Sequence, residues 1–497
     1  MKMKKTMTRR DFLVATGIGA GAGLGLTAGF ALAEKHLWPF NSSKAGTRTP
    51  FPRAARTGRV KEYTLEAAPA TMMIDGRQVA TWAYNGAIPG PEVRILEGDT
   101  LRVTVKNRLQ HEGTSIHWHG VPLVNPMDGV PGATQTEIAP GQDFVYEYVA
   151  PTAGTYFYHS HVGLQLDRGL YGAVIIESAQ EQKNYDQDVA LVLDDWLDGM
   201  PGTPDDAMKK LIAGGDKMNI GAMGMGMSAM NMPPDIIYPT YLINGKSSGQ
   251  PMEVNVKKGQ NIRLRFINAA ASTIFHIALQ GHQMTVTHTD GQPVEPVIVD
   301  ALRIGMGERY DVVVTANNPG IWQLAASVEG AAPQVRALFR YQGSVGQTPA
   351  APFAPPELKG KMLQYAMLKA APSSVVPPVD TPDLVVPLQL GGGNGQYVWK
   401  INGQVFNQAD VIAIPKLGLI SFQYENMSMM VHPMHLHGHF FQLDNGTGRG
   451  PLKDTVLVNP MQKITTNWVS DNPGTWAYHC HNAYHQMAGM MRFVKVS

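Results

Sequence analysis

Cysteine is almost absent from this chain: Cys480 is the only one in 497 residues, so no intrachain disulfide can form. Charge of one sign is lacking too, with 41 basic residues against 40 acidic ones and a net charge of +1. A nucleic-acid surface or a polybasic membrane patch needs a clear positive excess, so the sequence argues against both. Long helical patterns are few. Methionine is plentiful, at 27 residues, many of them clustered. The length exceeds one hydrophobic core and accommodates about three domains of roughly 150 residues each. The lone cysteine stands in His479-Cys480-His481. Alternate strand residues face opposite ways, so the two histidines share one face and Cys480 takes the other. A metal on the cysteine side would be wired through a few covalent bonds to metals on the histidine side, which suits electron transfer between two sites.

Lys2, Lys4 and Lys5 open the chain, and Thr8-Arg9-Arg10-Asp11-Phe12-Leu13 follows. A Gly-rich, weakly apolar stretch then runs from Val14 to Phe30 and ends in Ala31-Leu32-Ala33. Residues 1–33 resemble a twin-arginine export signal, which implies the twin-arginine translocase as a partner and the periplasm or outer cell envelope as destination. A membrane anchor is the alternative reading; the glycines and the small-x-small cleavage site weigh against it. No cysteine lies near that site, which excludes lipoprotein attachment there.

Short runs of β-branched and aromatic residues alternate with Gly, Pro and Asn turns. Leu101-Arg102-Val103-Thr104-Val105, Phe144-Val145-Tyr146-Glu147-Tyr148, Ile262-Arg263-Leu264-Arg265-Phe266 and Ser421-Phe422-Gln423-Tyr424 all have period two. The pattern predicts an all-β chain of sandwiches. The chain also repeats itself: Gly474-Thr475-Trp476-Ala477-Tyr478-His479-Cys480-His481 echoes Gly154-Thr155-Tyr156-Phe157-Tyr158-His159-Ser160-His161 and, more faintly, Gly320 to Ser327. His117-Trp118-His119-Gly120 is echoed by His435-Leu436-His437-Gly438. Three related domains are expected at about 55–180, 181–345 and 375–497, with a Pro/Ala-rich link over 346–374. In register, Ser160, Gln165 and Leu170 match Cys480, His485 and Met490, while Ala325, Ala326 and Ser327 match His479, Cys480 and His481. Metal chemistry is therefore expected in the first and third domains only.

Ten of the 16 histidines fall into four clusters: His117 with His119, His159 with His161, His432 with His435 and His437, and His479, His481 and His485. One His-x-His pair is weak evidence of a metal; four clusters placed symmetrically in two related domains are strong evidence. A thiolate, two imidazoles and a thioether form a blue-copper ligand set, and Cys480, His432, His485 and Met490 supply it. Eight histidines remain, suited to copper held by imidazole. Zinc would leave most of them unused.

These motifs, in this order, resemble the three-domain multicopper oxidases over essentially the whole mature chain. The resemblance implies three cupredoxin-like Greek-key β-sandwiches and four copper ions. It implies a type 1 copper at His432, Cys480, His485 and Met490. It places a type 2 copper at His117 and His435, one type 3 copper at His119, His159 and His481, and the other at His161, His437 and His479. The three-copper cluster would sit between the first and third domains. Substrate electrons would cross through Cys480, and four of them would reduce O₂ to water. Asp128 matches the family's acid near the type 2 copper; as an Asp-Gly pair it could equally be a turn residue. Gln486 stands where some relatives carry a second acid, which puts the second proton path in doubt. His36, His111, His276, His282, His288 and His439 are assigned no ligand role, His439 being placed just behind the ligands. A monomer is expected.

The substrate clue is a run of methionines, Met218, Met223, Met225, Met227, Met230 and Met232, set among Gly, Ala and Asn within an insert at about 200–232. A core stripe would alternate Met with Leu, Ile or Val. Thioethers prefer Cu(I), so the run reads as a Cu(I) gathering site; a flexible apolar lid over an organic substrate is the alternative. The Met427, Met429 and Met430 group before His432 could shield a metal, offer soft donors or simply pack. Together with export, the run resembles that of copper-tolerance cuprous oxidases. Ser428, however, stands where relatives carry an acid of the Cu(I) site, and the insert falls in the middle domain rather than the third. The alternatives are a laccase acting on phenols or aromatic amines, and a copper-buffering protein without turnover. A type 1 site covered by residues 200–232 favours Cu(I); an open one favours the laccase.

Overall fold

The structure, a computed structural model, describes residues 51–497 apart from 182, 201, 215–233, 331–333, 352–353, 375–380 and 394. The export segment 1–33 and the methionines from Met218 to Met232 lie outside the described residues. The described chain is a succession of strands gathered into six sheets. They form three consecutive sandwiches of four plus four, six plus five and six plus five strands, whose strands fall within 60–177, 187–341 and 384–496.

The alternating runs form strands where the sequence predicts them: Thr100–Asn107, Asp143–Val149, Asn261–Asn268 and Leu419–Asn426. In Thr100–Asn107, Leu101, Val103 and Val105 are buried while Arg102 and Thr104 lie at the partly exposed face, as period two requires. The same construction recurs in each sandwich. The opening strand pairs parallel with a later one, Val60–Ile74 with Thr100–Asn107, Gln187–Trp196 with Asn261–Asn268, and Leu384–Gly392 with Leu419–Asn426. That later strand then pairs antiparallel with the next. Parallel pairing of strands distant in sequence requires crossover connections between sheets, which is how Greek-key sandwiches are wired.

The repeat extends to single hydrogen bonds. Cys480 N–H donates to Met490 O at 3.0 Å, and Ser160 N–H donates to Leu170 O at 2.9 Å. Met490 N–H donates to His485 O at 3.0 Å, and Leu170 N–H donates to Gln165 O at 3.2 Å. Strand His432–Leu436 pairs with Gly474–Cys480 so that His435 faces His479, and His117–His119 pairs with Gly154–His159 so that His117 faces His159.

Among the described residues only two α-helices occur, Pro204–Gly214 and Ala483–Met487. The first is begun by Thr203, whose hydroxyl accepts from Asp206 N–H at 3.2 Å and donates to the Asp206 carboxylate at 3.0 Å, a variant of the capping box. Its Met208 and Leu211 are buried in the core of the third sandwich beside Leu164 and Ala271, so this segment reaches out of the middle sandwich and clamps the other two. No helix among the described residues is long and apolar enough to cross a membrane.

Candidate metal centre

Cys480 ends the strand Gly474–Cys480. Two residues later Asn482 caps the short helix Ala483–Met487, its side chain accepting from the N–H groups of Tyr484 and His485. That turn brings His485 back over Cys480, with Nδ1 3.5 Å from Sγ. His432 opens the neighbouring strand, and its Nδ1 lies 3.7 Å from the same sulfur and 3.1 Å from His485 Nδ1. All three side chains are fully buried, as is Met490, whose backbone is bonded to both Cys480 and His485. Three soft or borderline donors thus converge, and Met490 is buried in the same core as Cys480, a set that suits copper better than zinc. Burial pushes the Cys480 thiol far above its ordinary range, the backbone N–H of Asn482 opposing; a bound metal would displace that proton.

The outer nitrogens of the two imidazoles are also held. Ser428 Oγ lies 2.8 Å from His432 Nε2 and donates its own proton to Asn426 Oδ1 at 2.8 Å, so it accepts from the imidazole. His432 therefore turns Nδ1 inward as a lone pair. Asp235 Oδ2 lies 2.7 Å from His485 Nε2, at an angle short of a hydrogen bond, and accepts from Tyr397 OH at 2.8 Å. Trp399 covers both rings at centroid distances of 4.2 and 5.1 Å.

On the other face of the same strand end, eight imidazoles meet between the first and third sandwiches. His117 stacks on His437 at 3.7 Å and His119 on His435 at 3.8 Å, each pair joining the two sandwiches. His437 Nε2 and His161 Nε2 lie 3.0 and 3.5 Å from His479 Nε2, and His119 Nδ1 lies 3.1 Å from His481 Nε2. Among the described residues four groups able to hold a metal ion emerge from this side: His117 with His435 and His437, His117 with His119 and His159, His161 with His437 and His479, and His119 with His435 and Asp454. Backbone carbonyls fix the tautomers. Asp128 O, Asp454 O, Ser160 O and Cys480 O face the Nδ1 atoms of His117, His435, His159 and His479 at 2.9 to 3.0 Å. The Nε2 atoms of His117, His159 and His435 are then buried with no hydrogen-bond partner, which is the condition expected of metal ligands. Burial, reinforced by the neighbouring imidazoles, holds His119, His159, His437, His479 and His481 well below the ordinary histidine range, so they are neutral and their lone pairs are available.

Asp128 is not a surface turn residue. It is buried, with Oδ2 2.9 Å from His437 Nδ1 and Oδ1 3.2 Å from His117 Nδ1. Gly129 beside it has φ +78°, and a Cβ there would strike the Ile116 carbonyl, so the turn that delivers Asp128 needs glycine. Three further participants carry no sequence signature. Asp454 Oδ1 lies 3.1 Å from His119 Nε2. Arg309, from the ligand-free middle sandwich, pairs with Asp454. Asp235, also from the middle sandwich, touches His485.

His276, His282 and His288 stay in the middle sandwich, bonded to Glu329, Tyr341 and Thr287 respectively, and join no metal-competent group among the described residues. His439 packs against Trp468 and Trp476, and burial lowers it to about 4. Met427 and Met429, shortly before His432 in the chain, are about half exposed, whereas Met430 packs into the third core.

Three profiles described as multicopper oxidase match residues 66–181, 189–344 and 380–497. The chain is 42% identical over 500 residues to the multicopper oxidase MmcO of Mycobacterium tuberculosis, covering 98% of this chain and 96% of that one. It is 30% identical over 601 residues to copper resistance protein A of Escherichia coli, covering 95% and 98%, and 30% identical over 512 residues to laccase-2 of Botryotinia fuckeliana, covering 88% and 82%. Among solved structures, the laccase from Botrytis aclada superposes with a TM-score of 0.75 at 26% identity, covering 89% and 88%. The chain belongs to the multicopper oxidase family. It is thus an oxidoreductase with copper cofactors, built of three cupredoxin-like sandwiches.

Proposed function

We propose that the protein oxidises its substrate one electron at a time at the Cys480 end and gathers four electrons, with four protons, to convert O₂ into two waters. One observation carries this reading: two metal-competent groups share a strand end, the Cys480 group on one side and the group of His479 with His161 and His437 on the other, with His481 3.1 Å from His119. In this reading His432, Cys480, His485 and Met490 hold the type 1 copper. His117 and His435 hold the type 2 copper; His119, His159 and His481 one type 3 copper; and His161, His437 and His479 the other. Bound there, copper supplies one-electron redox chemistry and O₂ reduction. The protein contributes the short covalent path from Cys480 Sγ through the backbone to its two neighbours, fixed tautomers, and exclusion of bulk water. Asp128 holds His437 and stands ready to pass protons. The domain limits proposed for this machinery are 55–180, 181–345 and 375–497.

Cu(I) is the proposed substrate, with copper tolerance as the role. His432 and His485 are fully buried, and helix Pro204–Gly214, with Asp235 and Ile236 beyond it, packs over the third sandwich. A bare soft ion reaches such a site more easily than an aromatic ring, and Met427 and Met429, shortly before His432 in the chain, offer exposed thioethers. The methionines from Met218 to Met232 fall in the segment between these anchors. A relative named copper resistance protein A agrees with this reading. A laccase activity is the second reading, supported by Asp235, whose carboxylate beside His485 could accept a phenol proton, and by relatives named laccase. Residues 1–33 are proposed to direct export through the twin-arginine translocase to the periplasm or outer envelope, and the protein is proposed to act as a monomer.

Oxygen uptake by copper-loaded protein, given Cu(I) or a phenol at matched concentration, separates these readings. Preference for Cu(I), lost on deleting residues 217–232 while phenol oxidation persists, is the expected result. Preference for the phenol would make the protein a laccase. Absence of uptake with either, together with copper retention unaffected by Cys480→Ser, would leave only copper buffering.

A further inference from the structure

Four protons are consumed for each O₂, and Gln486 cannot donate one as a carboxylic acid would. Gln486 lines a cavity of about 570 Å³ between the first and third sandwiches, and His161 stands in the wall of the same cavity. The space is large enough for a chain of water molecules, each of which occupies about 30 Å³ in the liquid. Three carboxylates also line it: Glu112, Glu137 and Asp205. Their situations differ. Asp205 is committed to Arg168, 2.6 Å away, which also pairs with Asp198 at 2.7 Å. Glu137 is exposed, and its carboxylate lies over Gly113, where any side chain would collide with it. Glu112, the residue before Gly113, is half-buried, as is His161.

The wall that carries Glu112 is tied to the histidine turn. Gln165 donates from Nε2 to Gly113 O at 2.7 Å and accepts from Ser160 Oγ at 2.6 Å, and Ser160 sits between His159 and His161. Exposed Glu137 and half-buried Glu112 thus share a cavity wall with His161, a candidate ligand of the oxygen-reducing site.

We infer that Glu112 delivers protons to the His161 side of the oxygen-reducing site through this cavity and is reloaded from solvent past Glu137, taking the part that an acid at residue 486 would play. The inference rests on the oxidase reading above. Each O₂ takes four electrons from four reductant molecules and four protons from solvent. A proton leaving the Glu112 carboxyl passes to cavity water, and one from solvent replaces it, so Glu112 is unchanged at the end. The groups facing Glu112 suit this work. Burial raises its affinity for a proton and Asp205 and Glu137 raise it further, while Arg168 and His111 oppose. Lys400 stands in the cavity wall as well.

The test compares wild type, Glu112→Gln, Glu112→Asp and the double variant Glu112→Gln/Gln486→Glu, all as full-length copper-loaded protein. Oxygen uptake is followed at saturating reductant from acid to mildly alkaline pH, alongside copper content and type 1 absorption. An infrared titration of the copper-free protein reads the carboxyl groups independently of turnover. Glu112→Gln is expected to lower uptake by about a hundredfold, more steeply as pH rises, with copper content and type 1 absorption unchanged. Glu112→Asp should retain most of the rate, Gln486→Glu should restore it, and a carboxyl band titrating above the ordinary glutamate range should vanish in Glu112→Gln. A wild-type pH profile in Glu112→Gln, or a loss that Gln486→Glu does not relieve, overturns the inference while leaving the oxidase reading intact. No uptake by loaded wild-type protein overturns both.

Discussion

Arg309 clasps Asp454 through both guanidinium ends, Nη1 at 2.7 Å from Oδ1 and Nη2 at 2.5 Å from Oδ2, with both residues wholly buried. The same Oδ1 faces His119 Nε2 at 3.1 Å and His435 Nδ1 at 3.5 Å. Burial opposes the charge on Asp454, but Arg309 overcomes it and holds the carboxyl well below its ordinary range. Gly120, at φ +82°, completes the fit, because a Cβ there would strike Arg309. The middle sandwich, which among the described residues contributes no histidine to either the Cys480 group or the histidine cluster, therefore fixes one imidazole from each of its neighbours. Arg309→Met leaves Asp454 buried and unpaired and should cost about 3–5 kcal/mol. The distinguishing outcome is selective: copper at the histidine cluster should fall while type 1 absorption survives. Metal analysis with optical spectroscopy checks this, and equal loss of both coppers would reduce Arg309 to a general packing role.

The reach of the sequence follows from how each residue is signalled. The clustered histidines and Cys480 sit in His-x-His or His-Cys-His strings, and a strand's period of two turns such strings directly into geometry. The register match of Ser160, Gln165 and Leu170 to the Cys480 group is likewise mirrored in the backbone hydrogen bonds. Its fourth member is Thr114, three residues before His117 as His432 is three before His435. Thr114 Oγ1 and Ser160 Oγ both donate to Gln165 Oε1, at 2.8 and 2.6 Å, so a hydrogen-bonded triad occupies the place that His432, Cys480 and His485 take in the third sandwich. Arg309, Asp454 and Asp235 are illegible for the opposite reason: Arg309 reaches Asp454, Asp454 reaches His119 and Asp235 reaches His485, each across a domain interface, and no local pattern marks them. The covering of the Cys480 group was likewise unreadable, because helix Pro204–Gly214 packs on a sandwich that begins far along the chain.

Ser428 holds the outer nitrogen of His432. Its hydroxyl accepts the Nε2 proton of His432 and passes its own to Asn426, whose amide group donates to Met430 O at 2.7 Å and Val458 O at 3.0 Å. Ser428→Ala would leave a buried imidazole N–H without an acceptor, at a cost of about 1–3 kcal/mol. Thermal unfolding of the copper-free protein should register that loss. The loaded protein should show a shifted type 1 potential, since His432 would lose the bond that supports its basicity. An unchanged potential would show that packing against Trp399 orients His432 unaided.

Asp195 provides a pH signature. It is fully buried and accepts from Ala271 N–H, Ser272 N–H and Thr273 Oγ1, yet burial raises it to about 6, against those hydrogen bonds. A carboxyl raised on folding costs nothing while protonated in both states and costs most once ionised in both. Its share of stability is therefore intact below the unfolded value near 4 and is lost as pH rises through about 6. The full cost is about 3 kcal/mol, at 1.36 kcal/mol per pKa unit. Asp195→Asn loses hydrogen-bond quality at every pH but escapes the ionisation cost. Its Tm relative to wild type should accordingly rise between mildly acid and neutral pH. Calorimetry at the two values checks this, and a constant difference would mean that Asp195 ionises in the fold as freely as in water.

Met490 can be tested without disturbing the fold, because the first sandwich has already tried the substitution. Leu170 occupies the matching position, and its backbone makes the same two bonds, to Ser160 and Gln165, that Met490 makes to Cys480 and His485. Leucine and methionine have similar volume, so Met490→Leu should cost less than about 1.5 kcal/mol in packing. In the proposed site the thioether is the weak axial donor, and its removal withdraws electron density from the metal. The type 1 potential should therefore rise and copper should be held less tightly there, while the thiolate absorption from Cys480 persists. Redox titration of the loaded variant reads the first effect and dialysis against a chelator the second. If neither changes while Tm falls, Met490 serves the core of the third sandwich alone, and His432, Cys480 and His485 hold the copper without it.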